Sequence, residues 1–403
     1  MKPLLSVDAA LSALLNAAQP VSATENVPTL AANHRVLAHD LVSPMNVPQQ
    51  PTSAMDGYAV RAADLQRLPA RLRVTQRIAA GQVGSALAAG CCARIFTGAP
   101  LPSGADTVVM QEQVQSDAEH AIFSTPVSAG HHVRPVGEDI HVGQTLLQAG
   151  QRLSPQALAL AASVGLAQLQ VYRRIRVGLF FTGDELVMPG QDLQAGNIYN
   201  SNRFALRALL ERLDCQINDY GQVPDDLEAT VDTLQQAKQG NDVVLTCGGV
   251  SVGEEDHVKN AVQRVGQLHL WQIAVKPGKP LAFGTLGMAT KPCFFLGLPG
   301  NPVSAWVTFL LFARPFLQKL QGVQTLAPVR YRLAAHFDWL KPDQRQEYLR
   351  AHLDETGRVV LSGKQGSAVM TSVVRAQGLV EVPPATVIRS GDAVYFLPFS
   401  ELV

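Results

Sequence analysis

The sequence predicts a multidomain α/β protein with a central doubly wound α/β domain, a helical linker domain, a β-rich insertion and a small C-terminal β-barrel. Three observations carry this. A chain of 403 residues exceeds one ordinary core and divides into several. Between residues 172 and 324, apolar strand-like runs alternate with helical stretches, the pattern of an open sheet covered on both faces. On either side, residues 46–139 and 325–403 hold short apolar runs broken by turns, with no long helical period.

Taken in order, Val7, Ala10, Leu11, Leu14, Leu15 and Ala18 recur at helical spacing behind Ser6, a residue type that caps helices. Ser154 and Pro155 place a cap before a proline at the first helical position, opening a second helix from Ala157 to Val164. Segments 1–45 and 140–171 thus form a linker that carries the insertion 46–139, where the alternating run 71–78 reads as a strand. In 172–324, strands are expected at 177–181, 242–246, 270–275 and 293–298, and helices at 203–213, 227–239 and 303–320. The runs 359–361, 378–382 and 392–397 supply strands for the C-terminal barrel.

Composition excludes several classes. The 33 basic and 33 acidic side chains cancel, which argues against a general nucleic-acid binder. No uncharged apolar run is long enough to span a membrane, and residues 1–6 lack a secretory h-region. The five cysteines are odd in number and contain no C-x-x-C pair, so a reduced cytoplasmic protein without structural zinc is expected.

Ligands of open α/β sheets bind beyond the carboxyl ends of the strands. Every suggestive loop of 172–324 falls there. The run 242–246 ends in a turn containing Gly248, Gly249, Ser251 and Gly253, whose backbone N–H groups can form an anion-binding hollow, and Asp256 follows. Other loops bring Asp184, Glu185, Asp225, Lys276, Lys279, Pro299 and Ser304 to the same edge. Lysines and N–H groups neutralise a pyrophosphate-like anion, and carboxylates opposite them hold magnesium against it. The bland alternative for single loops is capping, since Asn202, Asp225 and Asn301 are all N-cap types. Neither a Walker P-loop nor a dinucleotide glycine motif occurs. The insertion adds Asp56 before a glycine, Thr97 in a proline-studded loop, and Asp139 after Glu138. Singly, these read as turn chemistry.

Together the segments resemble the molybdopterin molybdenumtransferase (MoeA) family, which is related to the gephyrin E domain. The resemblance rests on SAMDGYA (53–59), RIFTGAPLPSGADTVVMQE (94–112), RPVGEDI (134–140), TGDEL (182–186), GNIYNSN (196–202), TCGGVSVGEED (246–256), VKPGKP (275–280) and LGLPGNPVS (296–304). It implies a central domain of the molybdopterin-binding type. It also implies a magnesium-dependent enzyme of molybdenum cofactor synthesis that inserts molybdenum from molybdate into adenylylated molybdopterin as AMP is released. The same resemblance implies a cytoplasmic homodimer with its site shared between subunits, served by molybdopterin adenylyltransferase and molybdoenzyme maturation proteins. No nucleic acid or membrane partner is implied. Carried over by motif, Asp56, Thr97, Asp139, Glu185, Asp225 and Asp256 are the catalytic positions, with Glu185 and Asp256 organising the metal. Lys276 and Lys279 match the anion-binding lysines. Arg350, Ser372 and Ser304 are candidates for holding molybdate, although an arginine in a strand is more often solvated. Two other readings remain at this stage: adenylyl transfer onto molybdopterin, which uses a similar α/β segment, and a non-catalytic scaffold of the gephyrin type.

Overall fold

The computed structural model describes residues 4–117, 119–249, 257–287 and 293–402. Helix Val7–Ala17 starts where expected, with Ser6 Oγ accepting from the Ala9 N–H at 3.1 Å. Its buried face goes elsewhere than the linker. Val7, Ala10 and Leu14 pack into the main core with Phe309, Phe312 and Phe316 of the α/β domain. A narrow apolar stripe is stabilised most by the largest apolar surface within reach, and the linker core is small. That smaller core joins Ala32, Leu37 and Leu41 to Leu147, Leu153, Ala157 and Val171. The linker is accordingly mixed rather than simply helical. It has helix Pro155–Ser163 and two antiparallel pairs, Thr24–Pro28 with Gln168–Tyr172 and Leu41–Val42 with Thr145–Leu147.

The insertion forms a six-stranded sheet in the order Thr107–Met110, Gly57–Val60, Cys91–Ile95, Ala70–Ile78, His120–Phe123, Val114–Ser116. The expected strand at 71–78 is present. A separate pair, Thr52–Ser53 with Val133–Arg134, brings two of the motif-bearing loops side by side.

The central sheet runs Gln216–Val223, Arg176–Thr182, Val243–Cys247, Cys293–Leu298, Pro280–Leu286, Gly266–Gln272. Its first four strands are parallel and the last two antiparallel. The four parallel strands place their carboxyl ends on one edge. Sequence periodicity missed two strands. Gln216–Val223 is a polar, half-buried edge strand, and Pro280–Leu286 opens on a proline within the lysine-rich loop. The helices flank the sheet as expected, with a π-helical turn at Phe309–Ala313 inside the last one.

The C-terminal sheet curls round into the small, partly closed barrel that was expected: the chain leaving Tyr331–Ala334 meets Val359–Leu361 through a parallel bridge from Ala335 to Val359, and His336 N–H donates to Val359 O at 2.7 Å. Its order is Val275–Lys276, Gln346–Leu353, Gly378–Val382, Ala393–Pro398, Tyr331–Ala334, with Val359–Leu361 paired beside Gln346–Leu353. Its first strand comes from the α/β segment, so the lysine loop is built into the edge of the following domain. Among the described residues no helix is long and apolar enough to cross a membrane.

Candidate functional site

A cavity of about 1020 Å³ opens at the carboxyl ends of the parallel strands. Its floor is the turn after Val243–Cys247, where the backbone has φ of 99° at Gly248 and 62° at Gly249. A Cβ at Gly248 would lie 2.9 Å from Thr182 O, and one at Gly249 2.5 Å from a Val258 methyl. Left-handed backbone and close approach both demand glycine there. Ser251, Gly253 and Asp256, named with this turn, lie outside the described residues. Cys247 fixes the neighbouring loop: its thiol donates to Pro299 O at 2.9 Å, and burial pushes its pKa up to about 12. It is a packing residue and not a nucleophile.

Glu185 and Asp225 both line the cavity. The Glu185 carboxylate lies over Gly183, within 2.6 Å of where a Cβ would stand. Asp225 does not cap the helix that follows it; its neighbour does, with Asp226 Oδ1 accepting from Ala229 N–H at 2.9 Å. Asp184 sits behind, accepting from the Asp225 N–H at 3.2 Å. Asn202 is likewise released from capping, since Asn200 caps helix Ser201–Arg212. The Asn202 amide instead donates to Gly300 O at 2.7 Å and to Cys247 Sγ at 3.1 Å, tying two cavity loops together. Asn301 occupies a cap position without a side-chain cap bond.

Lys276, Lys279, Pro299 and the buried Ser304 also line the cavity. The two lysines differ in surroundings. Lys276 Nζ lies 2.9 Å from Glu347 Oε1 and 3.3 Å from Asp343 Oδ2, both on the C-terminal side. The Glu347 carboxylate raises the Lys276 pKa above the ordinary lysine range against the opposing effect of burial, with Asp343 adding to it. Arg345, another cavity residue, forks onto Asp343 at 3.0 and 2.9 Å and holds that carboxyl well below its usual range. Lys279 has no carboxylate paired with it among the described residues. The quartet Lys276, Arg345, Asp343 and Glu347 is electrically balanced, and Lys279 stands outside it. Sequence reasoning missed Asp343, Arg345 and Glu347. Their one signal was charge density just before strand Gln346–Leu353, which also suits a solvated edge.

Arg350 is not solvated. It is fully buried behind the cavity wall, donating to Ser372 Oγ at 3.2 Å, Tyr348 O at 3.1 Å and Gly366 O at 3.2 Å. Gly366 itself lines the cavity. Among the described residues no carboxylate reaches this guanidinium, and burial pulls its pKa down to about 10. Ser372 is also buried, and its hydroxyl donates a hydrogen bond to Val369 O at 2.7 Å.

The insertion builds a second cluster. Asp56 Oδ1 accepts from both the N–H and the hydroxyl of Thr97, each at 2.8 Å. The backbone bond and then the hydroxyl hold this carboxyl below its usual range; burial opposes them, and the Arg94 charge helps by less than burial opposes. The Asp139 loop is tied to the same region, because Ala54 N–H donates to His132 O at 3.0 Å and Asp139 N–H to Val47 O at 3.0 Å. None of Asp56, Thr97 or Asp139 lines the cavity of its own chain.

Among the described residues no three His, Cys, Asp or Glu side chains are placed to hold a metal ion. Two carboxylates on one cavity still fit magnesium, which keeps several waters and takes one or two protein oxygens beside substrate phosphates. The sheet edge and its cavity define an α/β protein with a ligand-sized site at the carboxyl ends of its parallel strands, lined by both cations and carboxylates. Residues 5–165 match the MoeA N-terminal region (domain I and II), 178–319 a probable molybdopterin binding domain, and 332–399 the MoeA C-terminal region (domain IV). The chain is 38% identical over 407 residues to the molybdopterin molybdenumtransferase of Haemophilus influenzae, covering 99% of this chain and 100% of that one. That of Synechococcus elongatus is also 38% identical, over 93% and 94% of the two chains. The crystal structure of the molybdopterin biosynthesis moeA protein from Pyrococcus horikoshii superposes with a TM-score of 0.85 at 28% identity, covering 98% and 100%. The chain belongs to the molybdopterin molybdenumtransferase (MoeA) family.

Proposed function

We propose that this protein inserts molybdenum from molybdate into adenylylated molybdopterin with release of AMP, in the cytoplasmic synthesis of the molybdenum cofactor. The observation that carries the reading is the cavity of about 1020 Å³ lined by Lys276 and Lys279 together with Glu185 and Asp225. The lysines, beside the glycine turn at Gly249, bind the pyrophosphate of the substrate. Glu185 and Asp225 would hold magnesium, which would supply charge neutralisation at the substrate phosphates. Molybdate is held near Ser304 and Gly366, where the buried Arg350 contributes positive charge through the wall. Magnesium-dependent AMP release from adenylylated molybdopterin, dependent on molybdate, tests the reading. Formation of adenylylated molybdopterin from ATP instead would favour the adenylyltransferase alternative, which the full-length relatives do not support.

The acting unit in this reading is a homodimer. Asp56, Thr97 and Asp139 lie apart from their own chain's cavity, and a second copy would bring them to it. Ile198 and Tyr199, both exposed, line the cavity, and the exposed Phe204 follows on the next helix, an apolar rim suited to cover by another subunit. A molybdopterin adenylyltransferase would supply the substrate, and molybdoenzyme maturation proteins would receive the product. Sedimentation of the full chain, and complementation between a D56N copy and a K279M copy, test the shared site: mixed dimers should regain activity that neither variant shows alone. A non-catalytic scaffold predicts no AMP release from any of them.

A further inference from the structure

Glu347 stands out among the groups that the reaction above does not use. It is a carboxylate with 1% exposure, on strand Gln346–Leu353 of the C-terminal sheet, and its register partner is Lys276 of the α/β segment. A carboxylate so buried costs several kcal/mol unless it is paired and hydrogen-bonded. Here the two oxygens divide that task. Oε2 accepts from Trp339 Nε1–H at 2.8 Å and from Asp343 N–H at 3.4 Å, which fixes the orientation of the group from the side away from the α/β domain. Oε1 is thereby turned to Lys276 Nζ, 2.9 Å away. Asp343, clamped by Arg345, meets the same ammonium at 3.3 Å.

We propose that Glu347, seconded by Asp343, is a positioning residue that holds the Lys276 ammonium at the cavity wall, so that the anion-binding site is complete only with the C-terminal sheet docked. This rests on the function proposed above and deepens it. A lysine has a long flexible stem, and restricting it before the substrate arrives lowers the ordering cost of binding. Lys279 is three residues away and lacks such a clamp among the described residues, so it serves as the internal control. The competing idea is a staple that joins two domains and matters to stability alone.

A double-mutant cycle separates these, since groups that act through one another are non-additive and distant ones are additive. The full-length protein carries E347Q, K276M, K279M and the two pairs with E347Q. Single-turnover AMP release is measured, with inorganic pyrophosphate affinity by calorimetry as a second readout. E347Q should lose about tenfold in both, within the coupling range of contacting groups. The pair E347Q/K276M should match K276M within about twofold, whereas E347Q/K279M should show the product of its single losses. A product of losses in E347Q/K276M, or an E347Q protein equal to wild type, overturns the proposal. If the unsubstituted protein releases no AMP, the function proposed above fails, and the pyrophosphate cycle still decides the role of Glu347. Should E347Q fail to fold, D343N enters the same cycle, with about threefold in place of tenfold expected because its contact is longer.

Discussion

Replacing Arg350 by methionine tests whether a buried cation is kept for binding or for architecture. In the structure three neutral acceptors at 3.1–3.2 Å stabilise the guanidinium. Charged hydrogen bonds contribute about 1.5–3 kcal/mol each, and these long ones fall at the low end, for roughly 4–5 kcal/mol together. Against that stands the loss of hydration of a fully buried charge, an effective penalty of several kcal/mol. The fall of its pKa to about 10 points the same way and corresponds to roughly 3 kcal/mol against the charged form. The terms nearly cancel. R350M should therefore change unfolding free energy in urea by less than about 1.5 kcal/mol, as replacements of buried charges by apolar side chains often do. Its affinity for molybdate, or for tungstate as a probe, should fall by about tenfold, less than for a contacting charge pair because the guanidinium acts through the wall. Calorimetric titration beside urea melts reads both. A variant destabilised by more than about 3 kcal/mol with unaltered oxyanion affinity would refute the reasoning.

Three further outcomes are expected. T97V removes one of the two bonds that depress the Asp56 pKa while leaving the backbone bond. A carboxylate with a depressed folded-state pKa contributes stability above its unfolded value and loses it as pH falls through the folded one. In T97V the folded-state value rises, so that loss is complete at a higher pH and the acid limb of kcat/KM should move upward; an unmoved limb contradicts the assignment. G249A meets both the positive φ and the Val258 methyl, so a loss of about 1–3 kcal/mol in urea melts and weaker pyrophosphate binding are expected. D242N weakens a fork from Arg173 at 2.8 and 2.6 Å and a bond from the Arg176 N–H at 2.8 Å. Burial raises this carboxyl, but Arg173 and the Arg176 N–H outweigh it and leave the pKa below its ordinary value. D242N should cost about 2–3 kcal/mol at neutral pH, the difference shrinking as pH falls through that lowered value. A pH-independent difference would contradict the ion-pair account.

The alternation of 172–324 determined the α/β class and the edge on which ligands gather, because strand and helix periods are local properties of the chain. Local chemistry likewise marked Ser6 and Ser154 as caps, and glycine at 248 and 249 as backbone of unusual conformation. Which of several adjacent polar residues caps a helix was not legible. Asp226 rather than Asp225, and Asn200 rather than Asn202, took that place, and the difference decides what faces the cavity. Strand Gln216–Val223 was hidden because an edge strand needs no apolar alternation, being only half-buried. Tertiary structure alone decided that the first helix belongs to the main core, and that Val275–Lys276 leaves its own domain for the next. It alone set Glu347 against Lys276 across that join and buried Arg350 with no carboxylate beside it among the described residues. Sequence patterns report the period at which a segment meets apolar surface, whereas charge pairing depends on distances between segments far apart in the chain, which only packing sets.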